Sequence, residues 1–149
     1  MYIFYALLGA LMASVGTIFA KLGLKGVDAN LLTSLRGIVM AVIVTLAAIS
    51  FGKLSYAGMS SLTPKNWTFV ILSGAAGALS WMFFYHALSA GPAVTVTVID
   101  KLSLVFTALL AMIVLAEGIT LQAAIGLFLV VCGTLLVALP WNTLTSFLK

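Results

Sequence analysis

The chain has 149 residues, of which 64% are hydrophobic and 7% charged, with a formal net charge of +4 and a mean hydropathy of +1.29. Water-soluble domains are about 45–50% apolar and about 25% charged, so this composition excludes a soluble fold for most of the chain. The few basic residues form no run and do not alternate with aromatic side chains, which argues against a nucleic-acid-binding surface. The single cysteine, Cys132, excludes an intrachain disulfide.

Five apolar stretches are long enough to cross a bilayer, whose core of about 30 Å needs roughly 20 helical residues. The sequence therefore predicts an all-α integral membrane protein, a five-transmembrane-helix bundle, with one transmembrane domain over residues 1–149. We expect the first stretch to be a retained span and not a secretory signal, because no Lys or Arg precedes it. The predicted spans cover about 2–20, 31–51, 64–89, 93–116 and 120–139.

The ends of these spans carry residues that begin and end helices. Asp28 and Asn30 each have a side chain that can cap the second span. A capping residue followed by proline predicts the start of the third span, and a Gly-Pro pair predicts its end. These signals are Thr63-Pro64 and Gly91-Pro92, and Thr120 is predicted to begin the fifth span.

Several ionisable residues lie inside the predicted spans, where each charge costs about 2.5–3.5 kcal/mol. We define side X as the membrane face that the first span reaches at its end. Counting helical rise from side X places five residues in the same half of the bilayer, with Asp100 facing the helical bundle. They come from four different spans and are Lys21, Arg36, His86, Asp100 and Lys101.

Smaller polar residues extend this pattern along three spans. The spacing predicts one polar stripe on each of them: Thr97, Asp100, Ser103 and Thr107 on span four, Ser14, Thr17 and Lys21 on span one, and Ser73, Gly77 and Ser80 on span three. Gly and Ala also recur at helical spacing, for example at Gly37, Gly74 and Ala78, and we interpret most of these as helix-packing positions.

Each of these residues also has a purely structural interpretation. Arg36 can extend to the lipid headgroups or serve a site, whereas we expect Lys21 to extend to the headgroups. Asp100 can be a structural partner of Arg36, and as a neighbour of Lys101 it should point about 100° away from that lysine. His86 near an interface, and aromatic residues such as Trp81 and Tyr85, more often serve packing than catalysis or binding.

The segment WMFFYHALSAG, which begins at Trp81, resembles the end of the third helix in EamA-type transporters of the drug/metabolite transporter superfamily. Ser34-Leu35-Arg36 resembles the arginine position of that family's second helix. Ile99-Asp100-Lys101-Leu102-Ser103 resembles the short, five-helix branch, and the resemblance covers essentially the whole chain. Larger relatives usually carry a proline near this point of helix four, and this sequence has none there.

The resemblance implies one repeat of an inverted-repeat transporter, working as an antiparallel homodimer with dual topology in the cell (inner or plasma) membrane. The implied function is secondary transport of a small metabolite or drug-like molecule by alternating access, with no enzymatic activity, cofactor or metal. Alternatives are a flippase for lipid-linked substrates and a non-transporting accessory subunit. The expected partners are a small-molecule substrate, membrane lipid and a second copy of the chain, without nucleic acid.

The residues that match the family's motifs receive provisional roles. Asp100 and His86 are expected to couple protons to transport. Arg36 and Lys101 are expected to bind an anionic or zwitterionic group of the substrate. The rest of the cavity lining is expected from the aromatic residues of span three and the polar stripe of span four, namely Trp81, Tyr85 and Ser103.

Overall fold

The structure, a computed structural model, describes residues 2–54 and 59–139. The regular structure in these ranges is helical. Five spans there are long and apolar enough to cross a membrane, with α4 and α5 together forming the fourth. The predicted all-α membrane fold with five spans is therefore confirmed. The helices that form the spans are α1 (Tyr2–Gly23), α2 (Ala29–Ser50), α3 (Pro64–Ala90), α4 (Ala93–Asp100), α5 (Ser103–Val114) and α6 (Leu121–Ala138).

The apolar side chains of these helices lie mostly at the protein surface. Among the described residues the buried apolar set is small and consists of Ala20, Leu24, Ala29, Tyr85 and Leu88. Large apolar side chains such as Phe4 and Ile113 are exposed along the spans. Since water would oppose this arrangement and lipid would not, the helices belong in a bilayer, and the chain is a multi-pass membrane protein.

The start of α2 is fixed by Asp28. Its carboxylate accepts hydrogen bonds from the backbone N–H groups of Asn30, at 2.9 Å, and Leu31, at 3.0 Å. These donors belong to the first turn of a helix, which has no intrahelical partners for them. Of the two predicted capping residues, Asp28 is therefore the cap. Gly26, in the preceding turn, has a φ of 74°, a conformation that glycine adopts without steric cost.

The other predicted helix starts are confirmed as well. The Thr63 hydroxyl accepts from the backbone N–H of Asn66 at 3.3 Å, directly before Pro64 at the first position of α3. The Thr120 hydroxyl accepts from the backbone N–H of Ala123 at 3.2 Å, at the start of α6. Short local signals therefore determine where the spans begin.

The helices form two compact units, the first ending at Ala90 and the second beginning at Gly91. In the first unit α2 packs along α3, and α1 also contacts α3. In the second unit α4 and α5 both pack against α6. The residues considered below are therefore described unit by unit.

The fourth span, predicted over about 93–116, is interrupted by a short turn between α4 and α5. The backbone N–H of Lys101 bonds to the carbonyl of Val98 at 3.1 Å, and that of Leu102 bonds to Ile99 at 3.0 Å. These are i to i−3 bonds, the pattern of a 3₁₀ turn, in place of the i to i−4 bonds of an α-helix. The interruption is thus a tightened turn formed without proline.

Candidate functional site

Three predicted site residues meet between α2 and α3 in the first unit. Arg36 lies about 10 Å along α2 from its first residue, Ala29. Trp81 and Tyr85 are four residues apart on α3, a spacing that places them on one face of the helix. Because α2 packs along α3, the arginine and the two aromatic residues come into contact.

The guanidinium group of Arg36 lies against both aromatic rings. Its Cζ atom is 4.8 Å from the centre of the Trp81 ring and 5.3 Å from the centre of the Tyr85 ring. Tyr85 is only 2% exposed and makes an edge-on contact with Phe84, with ring centres 5.8 Å apart. Two aromatic faces therefore stabilise a cation inside the membrane span, an interaction worth about 2 kcal/mol when it is shielded from water.

The first helix, α1, also lies close to the guanidinium group of Arg36. A Cβ atom placed on Gly16 of α1 would lie 3.7 Å from an Nη atom of Arg36. The guanidinium group therefore lies close to this position of α1 as well as to α3. Arg36 is partly buried among the three helices of the first unit, which favours a site over simple extension to the headgroups.

The first unit offers Arg36 no carboxylate partner. Asp28 is the single acidic residue before Ala90 in the sequence, and its carboxylate caps the start of α2. Within the described part of the unit, the contacts of the guanidinium group are the two rings and α1. Aromatic faces balance its charge but leave most of its five N–H donors without acceptors of comparable strength.

A cavity of about 410 Å³ lies next to this arginine, between α2 and α3. Four small residues provide its space, namely Gly37 on α2 and Gly74, Gly77 and Ala78 on α3. We predicted helix packing for Gly37, Gly74 and Ala78 and a place in a polar stripe for Gly77, and these four small residues together leave an open volume. Trp81 lines the cavity and also covers Arg36, so it separates the two.

The remaining walls of the cavity are mostly apolar. Met82 contributes a flexible, polarisable side chain, and Thr33 and Ser34 contribute hydroxyl groups. Thr33 donates its hydroxyl proton to the carbonyl of Ala29 at 2.7 Å, and Ser34 donates to the carbonyl of Asn30 at 2.8 Å. Since both protons are used within α2, the two hydroxyl oxygens can offer only acceptor lone pairs to a molecule in the cavity.

Lys21 has a structural role that the sequence did not predict. Its ammonium group donates to the backbone carbonyl of Leu88 at 2.5 Å, and Leu88 is fully buried. Leu88 lies in the last turn of α3, where carbonyls have no intrahelical donor. The lysine therefore ties α1 to the end of α3, and the expected extension of its side chain to the headgroups is corrected.

Two other predicted elements of this unit are the polar stripe of span one and His86. The hydroxyls of Ser14 and Thr17 donate to the carbonyls one turn earlier in α1, both at 2.9 Å; Ser14 is exposed and Thr17 is half-buried. His86 is exposed at the surface of the unit, and its backbone carbonyl accepts from the Ser89 hydroxyl at 2.7 Å. The two hydroxyl groups of the predicted polar stripe of span one are therefore satisfied by their own helix.

The other predicted site residues belong to the second unit, at the interruption of span four. Asp100 ends α4, Ser103 begins α5, and both Ser103 and Lys101 are exposed. The carboxylate of Asp100 lies 3.9 Å from the Lys101 ammonium, so neighbouring side chains expected to diverge come within ion-pair range. The two side chains are partly buried within the protein, with 54% of Lys101 and 40% of Asp100 exposed. The turn also divides the predicted stripe of span four between two helices.

Thr134 is a residue of the second unit that the sequence analysis missed. It lies on α6, is 3% exposed, and donates to the carbonyl of Val130 at 2.8 Å. Its hydroxyl is also 3.4 Å from the carbonyl of Val98, which accepts the first bond of the tightened turn. A lone threonine in the apolar fifth span was the available signal, since a hydroxyl in lipid needs an acceptor.

Comparison with known proteins places these features in a family. The EamA-like transporter family matches residues 1–139. An "Uncharacterized transporter in cobO 3'region" from a Sinorhizobium species is 32% identical over 135 residues, which cover 91% of this chain and 94% of that protein.

A human protein, solute carrier family 35 member G1, is 30% identical over 139 residues. The match covers 93% of this chain but 36% of the human protein, so the chain spans about a third of that relative's length. No solved structure matches the chain at a significant level. With the family match over nearly the whole chain and a bacterial relative matched almost end to end, the chain belongs to the EamA-like transporter family.

Proposed function

We propose that the chain is a secondary transporter that moves a small metabolite or drug-like molecule across the cell (inner or plasma) membrane by alternating access. The observation that carries this proposal is a charged residue inside a span, Arg36, beside a cavity of about 410 Å³. A charge at such a position is costly and typically serves a function. The volume lies within the range of about 300–1,000 Å³ that small-molecule sites occupy.

Each predicted site residue receives a role in this proposal. Arg36 and Lys101 bind the charged part of the substrate, and Trp81, Tyr85 and Ser103 contact the rest of it. Asp100 and His86 take up and release protons, for which their accessible side chains are suited. The matched depth of four of these residues in the bilayer stays a prediction. They are Arg36, His86, Asp100 and Lys101.

Flux through the purified full-length chain in liposomes tests the transport proposal. A pH gradient should drive accumulation of the substrate, and Arg36→Gln should reduce the initial rate at least tenfold. Lys25→Gln is the matched control, because Lys25 is an exposed charge just beyond α1. Binding without flux of any compound would support the accessory-subunit alternative, and movement of lipid-linked compounds alone would support a flippase.

We also propose that the working unit is an antiparallel homodimer. Inverted-repeat transporters place two similar units in opposite orientations around one pathway. The match to this chain covers 94% of the bacterial relative but 36% of the human relative. The family therefore contains both chains of this length and much longer chains. The lysines near the predicted span ends are almost balanced, with Lys21, Lys25 and Lys149 on one side and Lys53 and Lys65 on the other, which permits insertion in both orientations.

Fixing the orientation of the chain tests the antiparallel arrangement. One variant carries three added lysines in the 24–28 loop, and a second carries three in the 52–62 loop. Each variant alone should lose activity, because all copies adopt a single orientation, and co-expression should restore it. Full activity of either variant alone would show that antiparallel pairing is not required.

A further inference from the structure

The chemistry around Arg36 restricts what the neighbouring cavity can bind. The guanidinium group carries a permanent charge and five N–H donors, while its contacts in the first unit are the faces of Trp81 and Tyr85. A carboxylate or another oxyanion supplies what the rings lack, namely strong acceptors in the plane of the guanidinium group.

The charge of the first unit disfavours a positively charged partner. Its single acidic residue, Asp28, is used in capping α2. The basic groups that lie on α3 or contact it are Arg36 on α2, Lys21 on α1, and Lys65 and His86 on α3. An ammonium group placed in the cavity would lie near Arg36 with no carboxylate of this unit to balance it. A zwitterion meets the same repulsion at its amino end, so a monoanion fits better.

The cavity wall indicates the chemistry of the part of the ligand that does not contact Arg36. Gly37, Gly74, Gly77 and Ala78 present small apolar surfaces, and Trp81 and Met82 add larger ones. The hydroxyl protons of Thr33 and Ser34 are already donated to backbone carbonyls of α2. A ligand group that needs a hydrogen-bond donor finds none in these two hydroxyls, and apolar groups are preferred.

From these observations we propose that the cavity between α2 and α3 binds an organic monoanion with an apolar body, its oxyanion on Arg36 and its body against the small residues. The proposal rests on the transport function proposed above and names its substrate class. Trp81 is the wall between the two parts, so the oxyanion competes with the Trp81 ring for the guanidinium group. Binding therefore changes the environment of Trp81.

A matched ligand series on the purified full-length chain tests this proposal. In a Trp67→Phe/Trp141→Phe background, the fluorescence of Trp81 reports binding of cyclohexanepropanoate, of its neutral amide and of the corresponding amine. The carboxylate should bind at least tenfold more tightly than the amide or the amine. Equal binding of the amide, or tighter binding of the amine, would overturn the proposal.

Two variants assign the two ends of the ligand. Arg36→Gln should reduce carboxylate affinity to the level of the amide, and unchanged affinity would overturn the role of Arg36. Gly74→Leu should fill the cavity and weaken carboxylate binding at least tenfold, with Gly9→Leu on α1 as the control. A Cβ atom at Gly74 or Gly9 meets no described heavy atom within 4 Å, so neither variant forces a clash at its first carbon.

Small ions and lipids provide the remaining comparisons. Inorganic phosphate or acetate should compete weakly, and competition equal to that of the carboxylate would show that the apolar body does not contribute. Displacement by phosphatidylglycerol but not by phosphatidylcholine would assign the site to an anionic lipid and overturn the proposal.

If the carboxylate binds but is not transported, the transport function fails while the site stands. If only cations or neutral compounds are transported, the substrate class fails alone.

Discussion

The guanidinium carbon of Arg36 lies 4.8 Å from the centre of the Trp81 ring. This contact joins the second and third spans at a depth where a bare charge is unfavourable. It also places the charge one side chain away from a cavity of about 410 Å³. The sequence allowed Arg36 to be either a lipid anchor or a site residue. In the structure, aromatic contacts inside the protein hold Arg36 in position.

A small residue at position 16 is expected to be required for the position of Arg36. Gly16→Leu places a branched side chain where the Nη atom of Arg36 lies, 3.7 Å from the first added carbon, and overpacking of this kind costs about 1–3 kcal/mol. Transport should fall at least tenfold, measured as initial flux in liposomes. Gly16→Ala should be tolerated, and Gly9→Leu on the same helix should retain activity. Equal losses in Gly9→Leu and Gly16→Leu would show a general effect of bulk on α1.

Lys21 is expected to stabilise the first unit through the end of α3. Lys21→Met keeps a long side chain but removes its donation to the Leu88 carbonyl, a loss of about 1–3 kcal/mol for a buried acceptor. Thermal unfolding in detergent should show a lower midpoint for this variant. Lys25→Met, at an exposed position, is the control. A midpoint equal to that of the control would mean that this hydrogen bond contributes nothing to stability.

Thr134 is expected to stabilise the second unit near the turn in span four. Thr134→Val preserves shape but removes donation to Val130 and the approach to Val98, for a loss of about 1 kcal/mol, whereas Thr134→Ser should retain most of the stability. Thr17→Val is the control, because the Thr17 hydroxyl also donates within its own helix but Thr17 is less buried than Thr134. Unfolding by denaturant in micelles measures the difference. Equal effects of the two valine variants would contradict a special role for Thr134.

Asp100 is expected to matter for proton coupling more than for stability. Asp100→Asn keeps the shape of the side chain but cannot carry a proton, so pH-driven flux should fall at least tenfold. The unfolding midpoint should change little, since the contact with Lys101 is long, at 3.9 Å, and asparagine keeps the shape of the side chain. Asp28→Asn is the control, because asparagine is also a good helix cap. Full pH-driven flux in Asp100→Asn would place the coupling group elsewhere.

The spans and their starting points could be predicted because they depend on local sequence. Apolar length, the carboxylate of Asp28 and the Thr63-Pro64 pair act within a few residues of where they stand. For Arg36, the sequence predicted only that it lies at about the same depth in the membrane as polar residues of other spans. It did not predict the contact with span three. Its geometry depends on how α2 and α3 pack.

Other features depend on contacts between helices, which the spacing of residues along one helix does not predict. Gly37 and Gly74 fit a packing surface and a cavity equally well until the distance between their helices is known. Lys21 reaches a carbonyl 67 positions later in the chain, which no local pattern indicates. The tightened turn at Lys101 lacks the proline that would have marked it.

The absence of proline from that turn has a consequence for the fourth span. Lys101 and Leu102 both keep an amide hydrogen, so each can exchange its present acceptor for the carbonyl one residue earlier. Because a 3₁₀ turn advances about 120° per residue and an α-helix about 100°, straightening two residues rotates α5 by about 40° about its axis. The same step shortens the span by about 1 Å. The hydrogen-bond pattern of this turn and the axial rotation of α5 are therefore geometrically linked, and relaxation of the turn to an α-helix would change the direction that Ser103 faces.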